Sequence, residues 1–283
     1  MQTWMSHLND STLLSQISIP GTHDSASFNI NISGGGFTQT QSWNIEEQLD
    51  NGVRFLDARC RLIEDVFTMH HGAIFLKQQF GDILKICVDF LIHNPSEFII
   101  LSVKQEHTTE NSIKKFHEVM RKRYLKHYGN VFYLENKIPK INEVRGKIIL
   151  LRRYSGDNIG INATPWKDDT SFKIKNSHFN IHVQDHYAGY NALNIHFKRK
   201  FVAALLSEAK NKRAQDLFIN FLSVSGLLMP YTGAAGHHLI EGMNVWICKQ
   251  YREKQVMGII VADFVDVDDG DIIKTIVNSN VFV

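Results

Sequence analysis

Residues 98–104 read FIILSVK, a short apolar run that ends abruptly in a lysine. Runs of Val, Ile, Leu and Phe of this length are typical of strands that are buried on both faces of a parallel sheet. The pattern recurs along the chain, and longer amphipathic stretches separate the runs. It predicts strands over Leu14–Ile19, Val53–Leu56, Val66–Met69, Phe98–Val103, Lys147–Leu151, Ile181–Val183, Leu217–Phe221 and Val256–Val261.

Helical periodicity marks the stretches between these runs. Alternation of strands and helices in one chain of 283 residues predicts an α/β fold of the (βα)8 TIM-barrel type. An open doubly wound sheet is the alternative, although no GxGxxG motif follows a first strand. The predicted apolar stripes are Phe80, Ile83, Leu84, Cys87, Phe90 and Leu91 within Phe80–His93, and Phe197, Phe201, Ala204 and Leu205 within Phe197–Lys210.

Composition narrows the classes of function. The chain is 43% hydrophobic and has no repeat, low-complexity tract or linker, so we predict one domain over residues 1–283. Lys and Arg total 31 against 29 Asp and Glu, which argues against a nucleic-acid or other polyanion binder. Cys60, Cys87 and Cys248 form neither a disulfide framework nor a CxxC metal pattern. No uncharged run approaches the roughly 18 residues that span a bilayer.

Ionisable or aromatic clusters follow nearly every predicted strand. In a parallel barrel the carboxyl ends of the strands meet at one face, where catalytic groups collect. The sequence therefore predicts a single pocket that combines histidines, carboxylates and cations. The clusters are Pro20–Asp24, Asp57 with Arg59, His70–Gly72, Lys104, Arg152–Tyr154, Gln184 with Asp185 and Tyr187, and Asp263.

Two histidines at this face are candidates for an acid/base pair. Imidazole titrates near neutral pH, which suits proton transfer in both directions. His23 lies in GTHDS and His71 in HHG, so each has Gly or a carboxylate nearby. The alternative is that each is a structural histidine with its hydrogen bonds satisfied.

Cations at the same face indicate the kind of chemistry. Arg59 follows Asp57 by two residues, so the two share one face of a strand. They form either a structural ion pair or a clamp for a phosphate group. Lys104 and Arg153 add two more cations. Because no obvious metal ligands accompany them, the set favours phosphoryl chemistry by charge stabilisation.

Six segments resemble the catalytic X-region of bacterial phosphatidylinositol-specific phospholipases C. They follow the family's order across nearly the whole chain, and the likeness fades in the C-terminal third. The resemblance implies an irregular, incompletely closed TIM barrel. The segments are SIPGTHDSAS, VRFLDARCRL, MHHGAIFL, NPSEFIILSVKQEH, VRGKIILLRRYSG and VQDHY.

The resemblance also implies catalytic roles. His23 would be the general base that takes the proton of the inositol 2-hydroxyl, and His71 the general acid that protonates the departing diacylglycerol oxygen. The first product would be inositol 1,2-cyclic phosphate. Arg59 would stabilise the non-bridging phosphate oxygens. The supporting carboxylates would be Asp263 for His23, Asp24 for His71 and Asp57 for Arg59.

Further residues are implied to hold the inositol, with Tyr187 stacking on the ring face. Trp166 is expected to line the substrate side of the pocket, and a partly buried rim aromatic is its alternative. The implied substrate-binding set is Lys104, Arg153, Asp185, Tyr187 and Trp166.

Differences from the calcium-dependent members of the family indicate whether this chain needs a metal ion. Calcium-dependent eukaryotic relatives have asparagine after the first histidine and acidic ligands where this chain has Arg59 and Lys104. Two fixed cations would repel calcium, which needs several oxygen ligands. We therefore expect no metal and no other cofactor.

A lipid substrate requires docking on a membrane. Two segments are candidates for shallow insertion, Asn31–Phe37 (NISGGGF) and Ser225–Tyr231 (SGLLMPY). Packing of both segments on the barrel is the alternative. The expected membrane contacts are Phe37, Leu227, Leu228 and Met229.

Rival functions are another barrel phosphodiesterase that acts on a different headgroup, and an inactive inositol-lipid binding module. The first would use a metal held by acidic residues, and the second would be expected to lack His23, Arg59 or His71, all of which are present. The expected partner is phosphatidylinositol in a membrane, with no nucleic acid and no obligate protein partner. We expect a monomer that is exported and acts at membrane surfaces, although no leader is visible in the sequence.

Overall fold

Nine strands pair in parallel in one sheet of the computed structural model, which describes residues 1–28, 31, 34–211 and 215–282. The strands are β1 Ile19–Thr22, β2 Phe55–Ile63, β3 Val66–His71, β4 Ile74–Gln79, β5 Ile99–Gln105, β6 Phe132–Tyr133, β7 Ile148–Arg153, β8 Ile161–Asn162, β9 Ser171–Lys175, β10 Asn180–Gln184, β11 Leu217–Phe221, β12 Gly236–His237, β13 Ile240–Glu241 and β14 Ile259–Ala262. In the described residues, antiparallel pairing adds β3, β4 and β9 to this sheet and joins β12 to β13 in a separate one.

The helices cover the outside of the sheet. A π-helical segment, Met120–Leu125, joins α3 to α4. No helix in the described ranges combines the length and the apolar character needed to cross a membrane. The α-helices are α1 Ile45–Asp50, α2 Phe80–His93, α3 Phe116–Val119, α4 Lys126–Tyr128, α5 Ile141–Val144, α6 Ile195–Asn211, α7 Pro230–Ala235, α8 Met243–Gln250 and α9 Val267–Asn278.

The strand order is β6-β7-β5-β2-β1-β14-β11-β10, and each neighbouring pair is parallel. At one end β9 adds to β10 in the antiparallel direction, and at the other β8 pairs with β7. Within the described residues no ladder joins β9 to β6 or β8. The prediction of an incompletely closed TIM-type barrel is confirmed.

Apolar side chains on both faces of the parallel strands explain why these runs form the barrel. All six residues of β7 are buried, as are the first five of β5. Inside, these side chains fill the barrel, and outside, they pack against helices such as α2. The predicted stripe of α2 is confirmed, because all six of its residues are buried.

Several predicted elements need correction. Leu14–Gln16 forms a 3-10 turn, and the first strand begins only at Ile19. Leu14 and Ile17 are buried below the barrel, so their apolar character serves packing and not strand pairing. The last strand begins at Ile259 and not at Val256. Leu217–Phe221 matches β11 residue for residue, and the other predicted strands overlap observed ones with shifted ends.

Three of the four residues in the predicted stripe of α6 are exposed, and Leu205 alone of the four is buried. Phe197 is 50% exposed and Phe201 is 39% exposed, and Ala204 is also exposed. The helix instead turns a different set of residues toward the barrel, and that set includes a lysine. The buried residues are Ile195, Lys198, Val202, Leu205, Leu206 and Ala209.

Candidate active site

Strand register places His23 beside Asp263. Thr22, the last residue of β1, pairs with Ala262, the last residue of β14, and His23 N donates to the Ala262 carbonyl at 3.0 Å. The next residues of the two strands therefore meet at the barrel mouth. His23 Nδ1 lies 2.7 Å from Asp263 Oδ1, which is the contact that the resemblance implied. Gly21 permits this arrangement, since a Cβ there would lie 2.9 Å from Phe55 Cβ.

Three cations occupy one level across three neighbouring strands. Arg59 of β2 pairs in register with Lys104 of β5, and Lys104 pairs with Arg153 of β7. Adjacent residues in register point to the same face of a sheet. All three side chains therefore project to the mouth from inside their strands, and not from loops after them. A row of cations at one level suits a group with several negative oxygens.

Asp57 binds two of these cations. Its Oδ2 accepts from Arg59 Nε at 3.0 Å, and its Oδ1 accepts from Arg153 Nη1 at 3.0 Å. Complete burial of Asp57 opposes ionisation, but Arg59, Arg153, His23 and Lys104 together hold its pKa well below the usual range. Asp57 is therefore an anion that fixes the direction of both guanidinium groups.

Contact with Arg59 assigns the tautomer of His23. Arg59 Nη2 lies 2.7 Å from His23 Nε2. A guanidinium is permanently protonated and has no acceptor, so Nε2 must accept the hydrogen bond. Nδ1 then carries the proton and donates it to Asp263. In this state His23 is a neutral base with its lone pair toward Arg59.

His71 reaches the mouth on an antiparallel strand, which corrects the expectation that it follows a parallel one. β3 folds back along β2, and His71 is its last residue. His71 Nδ1 lies 2.6 Å from Asp24 Oδ2, which is buried. The carboxylate holds Nδ1, so Nε2 is the ring atom available to a substrate.

Backbone geometry fixes both partners of this pair. Asp24 has a φ of 39°, and its amide donates to Asp57 Oδ2 at 3.2 Å. Gly72 has a φ of 58°, and its amide donates to Glu106 Oε1 at 3.0 Å. Non-glycine residues with positive φ are strained and gather at functional sites. The left-handed turn at Gly72 accounts for the glycine of HHG.

Glu106 is a site residue that sequence analysis missed. Its Oε2 lies 2.6 Å from Lys104 Nζ. Burial opposes its ionisation, but Arg59 and Lys104 lower its pKa. Glu106 follows Lys104 by two residues and lies directly after the end of β5, so the two-residue spacing applied to Asp57 and Arg59 would have suggested it.

These side chains surround a cavity of about 250 Å³ at the carboxyl end of the barrel. The cavity brings together most of the predicted site residues, and adds Glu106 and Asp168. Asp24 and Asp57 lie behind it, as expected for supporting carboxylates. Its lining includes His23, Phe37, Arg59, His71, Lys104, Glu106, Arg153, Asp168, Asp185, Tyr187 and Asp263.

Trp166 does not line this cavity, contrary to expectation. Its ring lies under the guanidinium of Arg153, with 3.7 Å between the guanidinium carbon and the ring centroid. Its Nε1 donates to Asp185 Oδ2 at 2.9 Å. Trp166 therefore supports two cavity residues from behind, which agrees with the alternative of a partly buried aromatic.

Tyr187 stands at the cavity wall between two acidic residues. Its hydroxyl donates to the Asp168 carboxylate at 3.0 Å, and its backbone N donates to Asp169 Oδ1 at 2.8 Å. Burial, followed by the hydrogen bond to Asp168, raises the pKa of Tyr187 to about 12. The tyrosine is therefore a neutral donor that is held in place from the 164–170 loop.

The expected membrane contacts divide into exposed and buried residues. Phe37, Leu227 and Met229 are 62%, 83% and 45% exposed, respectively. Leu228 is only 8% exposed and packs in the main core, so its placement among the membrane contacts is wrong. Pro230 starts α7, so the second loop ends at Met229. Of the first segment, Ile32 and Ser33 lie outside the described residues.

Comparisons with known proteins point to one family. The family model "Phosphatidylinositol-specific phospholipase C, X domain" matches residues 17–154. A 1-phosphatidylinositol phosphodiesterase of Staphylococcus aureus (strain Newman) is 34% identical over 242 residues, which cover 79% of this chain and 75% of the relative. One from Listeria monocytogenes is 32% identical over 292 residues, covering 99% and 85%.

Solved structures agree over the full length. A phosphatidylinositol-specific phospholipase C from S. aureus superimposes with a TM-score of 0.88 at 29% identity, covering 99% of this chain and 98% of that one. The enzyme from L. monocytogenes gives a TM-score of 0.79 at 29% identity, covering 99% of each chain. The fold, the strand-end residues and these matches agree: the chain belongs to the phosphatidylinositol-specific phospholipase C X-domain family.

Proposed function

We propose that this protein is a phosphatidylinositol-specific phospholipase C that releases diacylglycerol and forms inositol 1,2-cyclic phosphate without a metal ion. One observation carries the proposal. His23 and His71 line the same cavity, each is held at Nδ1 by a carboxylate, and Arg59 lies against the first of them. Two oriented imidazoles with a guanidinium suit in-line displacement at a phosphodiester.

The reaction requires two proton transfers, one from the substrate to a histidine and one from a histidine to the leaving group. His23 Nε2 takes the proton of the inositol 2-hydroxyl, and that oxygen forms a bond to phosphorus. The bond from phosphorus to the glycerol oxygen breaks, and His71 Nε2 supplies the proton to the departing diacylglycerol. Asp263 and Asp24 stabilise the imidazolium forms through the Nδ1 hydrogen bonds.

Arg59 supplies the charge that would otherwise require a metal. Its Nη2 must leave His23 Nε2 for a phosphate oxygen when substrate binds, and this frees the base at the same moment. Asp57 retains the Nε end of the guanidinium throughout. Lys104, at the same level on the next strand, adds a second positive charge. A divalent cation placed here would meet both fixed charges.

One part of the cavity lining, which we call the inositol wall, binds the inositol ring. Arg153, Asp185 and Tyr187 form this wall, and carboxylate and guanidinium groups are suitable partners for vicinal hydroxyls. Trp166 keeps Arg153 and Asp185 in place from behind. Tyr187 lines the cavity, and its aromatic ring is suited to stacking on one sugar face.

Docking on a membrane surface follows from the exposed apolar residues at the mouth. Phe37 lines the cavity and is largely exposed, and Leu227 and Met229 lie on the loop that precedes α7. The two segments adjoin, since a Cβ at Gly36 would lie 3.4 Å from the sulfur of Met229. Exposed apolar groups that surround a cavity mouth suit shallow insertion into a membrane surface.

Phosphorus NMR of the reaction products tests the proposal. Vesicles of phosphatidylinositol, and separately of phosphatidylcholine, are incubated with the protein in excess chelator. The expected result is the resonance of the five-membered cyclic phosphate, from phosphatidylinositol alone, with no signal from His23→Ala or His71→Ala. Turnover of phosphatidylcholine alone would favour another barrel phosphodiesterase. Binding without turnover would favour an inactive module, and loss of activity in chelator would contradict metal independence.

A further inference from the structure

α6 places a lysine in the interior, where an apolar residue is expected. Lys198 is completely inaccessible, and it belongs to the buried stripe that includes Ile195 and Val202. A buried lysine is rare unless its charge is paired or hydrogen-bonded, because removing an ammonium group from water is unfavourable.

The ammonium group of Lys198 binds the end of β10 and the loop that follows it. Its Nζ donates to Gln184 Oε1 at 3.2 Å and to the carbonyl of His186. Gln184 Oε1 also accepts from the backbone N of His186, at 2.9 Å. Lys198 and Gln184 therefore hold His186 through both of its peptide groups.

The loop 185–187 contributes to the inositol wall. Asp185 and Tyr187 both line the cavity, and His186 lies between them in sequence. The His186 ring stacks on Phe201 of α6 at a centroid distance of 3.9 Å. α6 therefore contacts both the backbone and the side chain of His186. The side chains of Asp185 and Tyr187, on either side of His186 in sequence, line the cavity.

Gln184 anchors this arrangement in the sheet. Its Nε2 donates to Asn220 Oδ1 at 2.8 Å and to the Phe221 carbonyl at 2.7 Å. Asn220 in turn donates to the Val202 carbonyl of α6 at 3.0 Å. The polar network is buried and ties helix, strand and loop together, so a shift at Lys198 is transmitted to the loop.

Electrostatics agree with a link to the site. Burial lowers the pKa of Lys198 to about 7, against the attraction of Asp185, Asp263 and Asp169. Asp185 lines the proposed inositol wall, and Asp263 holds His23. The lysine is therefore within electrostatic range of two carboxylates of the site.

We propose that Lys198 is a positioning residue for inositol recognition, which holds the His186 carbonyl and Gln184 so that Asp185 and Tyr187 face the substrate. The inference rests on the proposed function. It extends the recognition machinery to a residue that does not touch the substrate, and it explains why the core of α6 retains a polar group.

The test is steady-state hydrolysis of soluble inositol 1,2-cyclic phosphate, which separates ring recognition from membrane docking. Lys198→Met is compared with Lys200→Met, an exposed lysine of the same helix. Misplaced recognition groups should raise KM by about tenfold or more in Lys198→Met, with a smaller change in kcat. Lys200→Met should match the wild type, and Lys198→Arg should recover part of the loss.

Binding of myo-inositol, followed by tryptophan fluorescence, gives a second readout because Trp166, one of the four tryptophans, donates to Asp185. Weaker binding by folded Lys198→Met is expected. Wild-type KM and wild-type inositol binding in that variant would overturn the inference about Lys198 but not the proposed function. An inactive wild type would overturn the proposed function and the inference with it. If Lys198→Met does not fold, Lys198→Leu, which also removes the donor to the His186 carbonyl, is judged by the same criteria.

Discussion

Two arginines, one just before β2 and one in its middle, differ in how their donors are used. Arg54, just before β2 at the floor of the barrel, is fully buried and donates to Glu97 and to the carbonyls of Leu49, Val53 and Gln2. Arg59, at the mouth, is 16% exposed and donates through Nε and Nη2 to Asp57 and His23 within the described residues.

The difference distinguishes a structural cation from a functional one. All three guanidinium nitrogens of Arg54 donate hydrogen bonds within the protein, so none is available to a ligand. Arg59 has one end fixed by a buried carboxylate and the other end on a histidine that must also accept a proton. A fixed orientation with a replaceable partner is what phosphate recognition needs.

Removing the mouth arginine should produce the largest effect of all. We expect Arg59→Ala to lower kcat/KM for phosphatidylinositol by about 1,000-fold, since a charge-stabilising donor is lost. The melting temperature should change little, because Asp57 retains Arg153. Vesicle assays with calorimetry check both. Substantial residual activity in folded Arg59→Ala would contradict the functional role of Arg59 and its contrast with Arg54.

Breaking the floor pair should reverse that pattern. Glu97→Ala leaves Arg54 buried without its counter-charge and should lower the free energy of unfolding by about 3–5 kcal/mol. kcat/KM per folded molecule should remain near the wild-type value. Denaturant titration and active-site titration separate the two quantities. A loss of activity that exceeds the loss of folded protein would contradict a purely structural role for Arg54.

Lys198 offers a third kind of buried cation, and its signature is pH-dependent stability. The unfolded lysine keeps its proton up to about pH 10, whereas the folded one loses it near pH 7. Between these values the unfolded state binds more protons, so the free energy of unfolding should rise with pH by up to about 1.4 kcal/mol per unit. Lys198→Met should lack this rise. Parallel curves for the two proteins would show that the ammonium is not destabilised by burial.

The contrast between mouth and floor extends to apolar residues, with the smallest expected effect. Leu227 is 83% exposed at the mouth, and Ile92 is 68% exposed near the end of α2, which leads to the floor. Leu227→Ser should weaken vesicle binding by about fivefold to tenfold, as expected for one leucine at an interface, and should spare hydrolysis of soluble cyclic phosphate. Ile92→Ser is the control and should change neither. Equal losses in both assays would remove Leu227 from the docking surface.

Sequence spacing predicted the contacts of the site that form between residues close together on one strand. Asp57 and Arg59 share a strand face by spacing alone, and their contact is present at 3.0 Å. The antiparallel orientation of β3 could not be predicted from the sequence, because apolar content does not reveal whether a strand runs parallel or returns in a hairpin. The partner of His23 was placed by resemblance, since β1 and β14 pair across almost the whole length of the chain.

The errors in α6 and at Leu228 share a cause. Phe197 and Phe201 gave an apolar stripe at helical spacing, yet Lys198 occupies the interior because its donors reach Gln184 and His186. Leu227 and Leu228 are equivalent in sequence, but the backbone turns one outward and the other into the core. Tertiary hydrogen bonds and loop conformation override local preference in both places.

The level row of Arg59, Lys104 and Arg153 restricts how the gene for this protein can vary. Side chains alternate along a strand, so one codon inserted before Lys104 within β5 would turn the ammonium outward and break its alignment with both arginines. The same event in a connecting loop would leave the row intact. Length changes that descendants of this chain tolerate should therefore fall between strands, while the six residues of β7 and the seven of β5 keep their number.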